Sequence, residues 1–328
     1  IETIKSLPAL FGEVDVLKVI QLLPGIQSSG EGNTGFYVRG GGPDQNLILL
    51  DNAAVYNASH LFGFFSVFNA DAISNVGVHK GTMPARYGGR ISSVLDISMR
   101  EGNRREHKVN GGVGLISARF TVEGPIKKDT SSFIISARRT YIDILTRPFA
   151  KGTSAEGSGY YFYDLNAKIN HKFTEKDEVY LSGYFGRDVF SFKSTDAGFG
   201  TSIPWGNATA SLRWNHLFND QLFLNMNVSY TDYNFAFEGE QEEFAFGFNS
   251  GIEDWSYKST LNYYPNSRHE IKCGVEYVFH EFMPTDFFAR NGDTPIEVGV
   301  SEVTYSHESS AFIESDFEIN EFLKIYSG

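Results

Sequence analysis

The sequence predicts a transmembrane β-barrel of antiparallel strands, present in part, preceded by a small α+β domain. Three observations predict it. Beyond Glu106 the chain falls into two-faced runs in which apolar and polar residues alternate, the period of strands with one greasy and one wet side. The wet sides carry Lys168, Arg213, Lys258, Glu276, Glu314 and Asp316, while the apolar sides end in aromatics, which is the pattern of an outer-membrane barrel and not of a sandwich core. Short turns also alternate with long segments, as when all long loops gather at one end.

Composition sets the bounds. The 328 residues include 29 Phe and 17 Tyr, and no window approaches the roughly 18 apolar residues of a membrane-spanning helix. A single cysteine, Cys273, excludes an internal disulfide and a cysteine-rich metal site. The net charge of -12 argues against nucleic acid as a partner. Residues 1–100 hold 7 Lys/Arg against 8 Asp/Glu, leaving 21 against 32 in the remainder, so the acid lies in the strand-rich part.

In chain order, Ile1 to Leu10 lacks the basic start and apolar core of a signal peptide. Glu13 to Leu23 predicts a helix, with Val16, Leu17, Ile20 and Leu23 on one face and Pro24-Gly25 as its stop. Gln27 to Gly35 is a polar turn. Phe36 to Arg39 is a short strand broken by Gly40, Gly41 and Gly42, which permit positive φ. Leu47–Leu50 and Val76–His79 are further strands, the first ending at Asp51 and the second turned by Lys80-Gly81. Asp71–Ile73 can hold one helical turn, and Ile91 to Met99 is a last strand. These make a small domain over 1–100, followed by a charged linker at 101–106 and the strands of 107–328.

Alternating runs occupy Leu165–Phe173, Val179–Phe185, Ala208–Asn215, Leu222–Thr231, Tyr257–Tyr263, Ile271–His280 and Ala311–Ile319. Expected short turns are Gly124–Asp129, Thr174–Asp177, Asn219-Asp220, Pro265–Ser267 and Asn320-Glu321. Expected long loops are Thr146–Gly159, Ser194–Pro204, Ala236–Asp254 and Pro284–Glu302. Parity then requires two short strands within His107–Glu123, reversing near Ile116–Ala118. About ten strands and the start of another result, too few to close and remove the sheet edges. Phe322 to Gly328 reads as a strand stopped in mid-course.

Four motifs in order, Val38-Arg39-Gly40, Leu49-Leu50-Asp51, Lys80-Gly81 and Ala85-Arg86-Tyr87-Gly88-Gly89, together with Leu22-Leu23-Pro24-Gly25-Ile26, resemble those of TonB-dependent outer-membrane receptors. The likeness is dense from about Leu7 to Met99 and rests on pattern alone beyond it. It implies a plug domain in the lumen of a 22-stranded barrel in the outer membrane of a Gram-negative bacterium. It also implies import of a scarce solute, driven by the inner-membrane TonB complex through a segment expected before Ile1, with a second barrel half expected after Gly328. Among these receptors the motifs look most like the starch-utilisation type, some of which work with a surface lipoprotein lid. The other reading is a receptor-like barrel with a structural, binding or secretion-assembly role. A porin is disfavoured by the N-terminal domain.

The resemblance places Asn52 to Asn69 near the plug apex, so Tyr56, Asn57, Ser59, His60, Phe62, Phe64 and Phe65 are candidate substrate-facing groups, with Asp44 and Gln45 a second apical contact. The mixture of aromatics and amides suits sugars, peptides or chelated metals alike. Arg39, Arg86 and Arg90 are candidate pins between plug and barrel, because arginines enclosed by an acidic wall need carboxylates. Glu276, Glu314, Asp316 and Glu318 are their available partners. His60, His79 and His107 are too scattered for a metal site. The acidic stretch Ala236–Asp254 reads as a solvated face, with calcium or a cationic ligand as the other reading. Gly111-Gly112-Val113-Gly114 begins a strand and is expected to let the wall approach the plug. No cofactor is implied, and no catalytic motif is present.

Overall fold

The computed structural model of the protein describes residues 15–30, 34–296 and 301–328. The reading of Ile1 to Leu10 and the first two residues of the predicted helix lie outside them. Helix α1 (Val16–Ile20) is shorter than expected and starts at Asp15, whose Oδ1 accepts the Lys18 N–H at 3.0 Å. The other oxygen of Asp15 accepts the Ser66 N–H at 2.6 Å, so one side chain both caps the helix and fixes it to the domain. Val16, Leu17 and Ile20 are buried, whereas Leu23 turns outward past the helix end.

The N-terminal domain contains β1 (Ile26–Ser28), β2 (Phe36–Val38), β3 (Asn46–Leu50), β4 (Ala53–Ala54), β5 (Ser59–His60), β6 (Phe65–Ser66), β7 (Ile73–Lys80) and β8 (Ser93–Met99). Its main sheet runs β4-β3-β8-β7, with β3 and β8 parallel and the other pairs antiparallel. The helix packs on that sheet through a core of Val16, Leu17, Ile20, Leu50, Ile73, Leu95 and Ile97. Asp71–Ile73 forms a turn rather than a helical one, since Ile73 already pairs with Met99. The break after β2 is made by Arg39 (φ 49°) as well as Gly40 (φ 88°), so positive φ is not confined to glycine here.

The rest of the chain forms one continuous antiparallel sheet: β9 (Lys108–Val113), β10 (Ser117–Lys127), β11 (Ser131–Thr140), β12 (Gly159–Lys172), β13 (Asp177–Ser194), β14 (Phe199–Asn219), β15 (Leu222–Gln241), β16 (Phe244–Asn266), β17 (His269–Asn291), β18 (Thr294–Ile296), β19 (Thr304–Asn320) and β20 (Leu323–Ser327). Each pairs with its sequence neighbour, except that β18 pairs only with the end of β17 and β19 returns to β17. Residues 107–123 hold two strands, with the reversal at 114–116 and Ala118 opposite Val113. This is a transmembrane barrel wall in part, whose end strands β9 and β20 each have one unpaired side among the described residues.

The expected long loops at Ser194–Pro204 and Ala236–Asp254 are mostly strand. Strands β13 and β14 are joined by Thr195 to Gly198, and β15 and β16 by Glu242-Glu243 alone. At about 3.3 Å per residue, the 23 residues of β16 reach about 75 Å, well past the ~9–11 residues that cross a bilayer. The one-sided length is therefore paired hairpin, because the alternation simply continues beyond the membrane. Thr146–Gly159 likewise begins inside helix α2 (Ile142–Ala150).

Burial along the wall is inverted relative to a soluble sheet. Ser136, Asn166, Asn207, Ser211 and Thr231 are buried, while Leu165, Leu181, Leu212, Val228 and Trp255 are exposed. Polar side chains face the N-terminal domain and apolar ones face outward, as a lipid-facing wall requires.

Candidate functional site

The contact between domain and wall is mostly polar, apart from one aromatic cluster in which Phe65 packs with Tyr160, Phe162 and Trp205. Strand β3 ends at Asp51 in a left-handed conformation (φ 46°), which turns the chain back into β4 and aims the carboxylate outward from the sheet. There Oδ1 accepts the Met99 N–H at 3.0 Å, and Oδ2 meets Lys168 Nζ of β12 at 2.8 Å. Lys168 also donates to the Met99 carbonyl at 3.0 Å. Ser211, Asn207 and Thr231 donate to the carbonyls of Asp51, Asn57 and Ala54 at 2.7, 2.7 and 2.9 Å. Two wall strands, β14 and β15, thus hydrogen-bond the backbone of one N-terminal segment.

Of the three expected pins, Arg86 is paired to the wall. Its guanidinium Nη1 lies 2.8 Å from Glu314 Oε2, and its own backbone N–H donates to Glu314 Oε1 at 2.7 Å. Lys258 Nζ donates to the Arg86 carbonyl at 2.6 Å and is itself paired with Glu276, directly opposite it on β17. Burial opposes the Arg86 charge, but neighbouring Tyr87 and Glu314 outweigh it and raise the guanidinium further above its usual range. Arg39 and Arg90 make other contacts among the described residues. Arg39 lies against Gly81, where a Cβ would come within 2.3 Å of its guanidinium, and no carboxylate pairs with it among the described residues. Arg90 donates to the Gly89 carbonyl at 2.8 Å.

Arg119 of β10 supplies a pin that the sequence did not single out, reaching Asp71 at 3.1 Å. Gly112 lies opposite it on β9, and a Cβ there would sit 3.2 Å from the Arg119 Nε. The glycine therefore makes room for a wall side chain, which corrects the expectation that it brings the wall backbone to the plug. Arg100 and Glu123 add a pair at 2.9 Å beside the linker.

The expected apical residues divide into three groups. Asp44 and Tyr56 line a cavity of about 350 Å³ between β3, the segment after β4, and the wall strands β15, β16, β17 and β19. Tyr56 donates to Asp254 Oδ2 at 2.5 Å, Asp254 Oδ1 lies 2.6 Å from His280 Nδ1, and Glu308 lies 3.7 Å beyond His280 Nε2. Arg90 lines the same cavity. Burial, then the Asp254 carboxylate, push the Tyr56 hydroxyl well above its usual pKa, so it remains a donor. Phe62 is 58 % exposed in a left-handed turn (φ 51°), edge-on to Phe190 at 5.6 Å and tilted on Trp205 at 4.8 Å. Phe62 is the exposed ring of this group, seated on the buried Trp205.

The remaining candidates are partly or fully buried. Gln45 Oε1 accepts the Gly42 N–H, and Asn57 Oδ1 accepts from Ser59, so both serve local turns. Phe64 lies under the Lys18 ammonium at 4.3 Å. His60 and Phe65 are each 1 % exposed, which removes them from any substrate-facing role. His60 stacks on Phe162 at 4.0 Å and lies between Asp164 and Asp188 of the wall. Wall residues Asp164, Asp188 and Asp254 were not singled out as contacts, although their parity was legible: each occupies the polar face of its strand. The acidic stretch Ala236–Asp254 is not assembled into one site, because Asp254 faces the cavity while Glu253 meets Tyr230 at 3.1 Å. No carboxylate, histidine or cysteine cluster fit for a metal occurs among the described residues.

Residues 6–94 match the family model of the TonB-dependent receptor plug domain. No curated protein matches the chain. Among solved structures, the ferric enterobactin receptor of Pseudomonas aeruginosa is similar at a TM-score of 0.67 and 17% identity, over 95% of this chain and 54% of that one. The siderophore receptor PirA of Acinetobacter baumannii gives 0.68 and 18%, over 98% and 54%. The pyoverdine-bound FpvA of P. aeruginosa gives 0.69 and 11%, over 95% and 48%. The chain thus spans about half the length of these structures and shares their fold, a plug with part of a barrel; the plug model and these structures are of receptors, not enzymes.

Proposed function

We propose that the assembled protein is a TonB-dependent importer of the outer membrane, capturing a scarce solute at the outer face and admitting it when the plug rearranges. One observation carries the reading. The plug has its own apolar core, and outside one aromatic cluster around Phe65, Phe162 and Trp205 it meets the wall through hydrogen bonds and ion pairs. A polar interface exchanges its partners for water at modest net cost, whereas an apolar one would weld the two parts together. Tyr56, Asp254, His280 and Arg90 provide the polar contacts for the solute, and Phe62, backed by Trp205, provides a stacking surface. Because Tyr56 binds Asp254 across the gap, a solute that competes for Asp254 loosens the plug where it binds.

The solute is a glycan, a peptide or a metal chelate. The ferric-siderophore receptors among the structural neighbours favour a chelate, whereas the plug motifs favour the cargo of starch-utilisation receptors and a lipoprotein lid. Proteoliposomes containing the whole protein, supplied with each solute class, test the proposal. Accumulation that requires TonB supports it, and accumulation indifferent to TonB overturns it. Co-purification from the outer membrane tests the lid.

A further inference from the structure

His60 has a carboxylate oxygen on both ring nitrogens: Asp188 Oδ2 at 2.6 Å from Nδ1 and Asp164 Oδ2 at 3.0 Å from Nε2. A neutral imidazole carries one N–H, so one of these contacts would set a nitrogen lone pair against a carboxylate oxygen. A doubly protonated ring donates to both. The neighbours give the same answer. Arg138 of β11 binds Asp164 through Nε at 3.0 Å and Nη2 at 2.7 Å, and donates to the Ser66 carbonyl of the plug at 2.8 Å. Asp188 of β13 also accepts from the Leu61 N–H at 3.0 Å and from the hydroxyl of Tyr160 on β12. Tyr184 of β13 is the remaining titratable group beside them.

Arg138, Asp164 and Asp188 sum to one negative charge in an enclosed site, and a proton on His60 cancels it. An uncompensated buried charge is costly, so the site holds together best with His60 charged. Placing the proton on Asp164 would forfeit the Arg138 pair, and placing it on Asp188 Oδ2 would exchange a charge-assisted bond for a neutral one, although imidazole is the stronger base.

We infer that His60 is a proton-dependent latch between plug and wall, protonated while the plug is docked and free to lose that proton when the segment Ser59–Ser66 leaves the wall. The latch rests on the plug being movable, but not on the identity of the solute or on TonB. Burial opposes the charge on His60, and the two carboxylates outweigh it, so its pKa is raised above the ordinary value. A raised value means that docking gains from the proton fully below the ordinary histidine pKa of about 6.5 and loses that gain as pH rises through the docked one.

The test is amide hydrogen exchange of residues 59–66 in the whole protein, reconstituted in vesicles, from acid to alkaline pH. Rates are corrected for intrinsic exchange and referred to β3 and β8 as internal standards. Protection of 59–66 falls with rising pH in the wild type, while β3 and β8 hold theirs. His60→Gln abolishes that pH dependence. Asp188→Asn keeps the histidine but moves the loss at least ~1 pH unit lower, because one of the two opposing charges is gone. Wild-type protection independent of pH, or a His60→Gln profile that follows the wild type, overturns the latch. If His60→Gln does not fold, an Asp188→Asn profile that coincides with the wild type overturns it. Because exchange reports docking without transport, these outcomes are separate from failure of the import reading.

Discussion

Glu314 binds Arg86 twice, through the guanidinium and through the backbone N–H, so one wall carboxylate, 3 % exposed, holds both the side chain and the main chain of the plug's Arg-Tyr-Gly-Gly turn. The second bond explains why the turn itself, and not only a flexible arginine, is fixed to β19. It also separates two variants that a simple ion pair would not. Arg86→Ala leaves the backbone bond in place but strands the Glu314 charge, whereas Glu314→Gln keeps an acceptor for the backbone and strands a partly exposed arginine.

Arg86→Ala therefore weakens plug docking more than Glu314→Gln does, by about 2–3 kcal/mol, discounted from a fully buried pair because Arg86 reaches solvent. Leak conductance of the assembled protein in planar bilayers rises for Arg86→Ala and less for Glu314→Gln. Equal leak for both variants and the wild type would remove Arg86 from plug retention.

Lys168→Met leaves the Asp51 carboxylate facing an apolar side chain in a buried site, with the Met99 carbonyl losing a donor as well. The expected loss is ~3–5 kcal/mol of docking stability. Asp51→Asn in the same protein recovers part of it, since the amide no longer needs a counter-charge. Protease sensitivity of the plug across a denaturant series measures both, and additivity of the two changes would contradict direct pairing.

Asp254→Asn removes the charge and one of the two oxygens that serve Tyr56 and His280, whereas Tyr56→Phe removes one donor and leaves Asp254 with His280. If this cavity binds the solute, Asp254→Asn weakens binding at least ~10-fold and Tyr56→Phe less than that, by the usual worth of a charged against a single neutral hydrogen bond. Titration calorimetry with the solute found by uptake decides it; undiminished binding in Asp254→Asn places the site elsewhere.

Shortening the β15–β16 hairpin by joining Phe237 to Phe248 through a two-residue turn leaves the barrel assembled. The lower pairing from Leu222↔Tyr263 to Asp232↔Glu253 already covers the ~9–11 residues that a bilayer requires. Heat-modified gel migration and thermal melting should match the parent protein. Loss of assembly would show that the hairpin's upper pairing supports the barrel.

The alternation from Leu165 onward determined the wall by itself, because a period of two has one structural solution and the polar side must face whatever is not lipid. The same parity was enough to put Glu314 on the inner face and to require a reversal between His107 and Glu123. Glycine-rich turns and the Leu49-Leu50-Asp51 run likewise marked the small domain. Loop length was not legible: a polar, aromatic stretch such as Phe237–Asn249 has the composition of a loop, and only cross-strand pairing makes it a hairpin.

Tertiary structure alone decided which charges meet. Arg39, Arg86 and Arg90 are equivalent on paper, yet only Arg86 meets a carboxylate among the described residues, since ion pairing depends on ångström distances between segments more than 200 residues apart. His60 shows the same limit most clearly. In sequence it stands among aromatics near an expected apex, and its burial between Asp164 and Asp188 follows from how the plug seats against three neighbouring strands. Strand periodicity is a local property written in every few residues, whereas the pairing of charges across a plug–wall interface exists only once both surfaces are built.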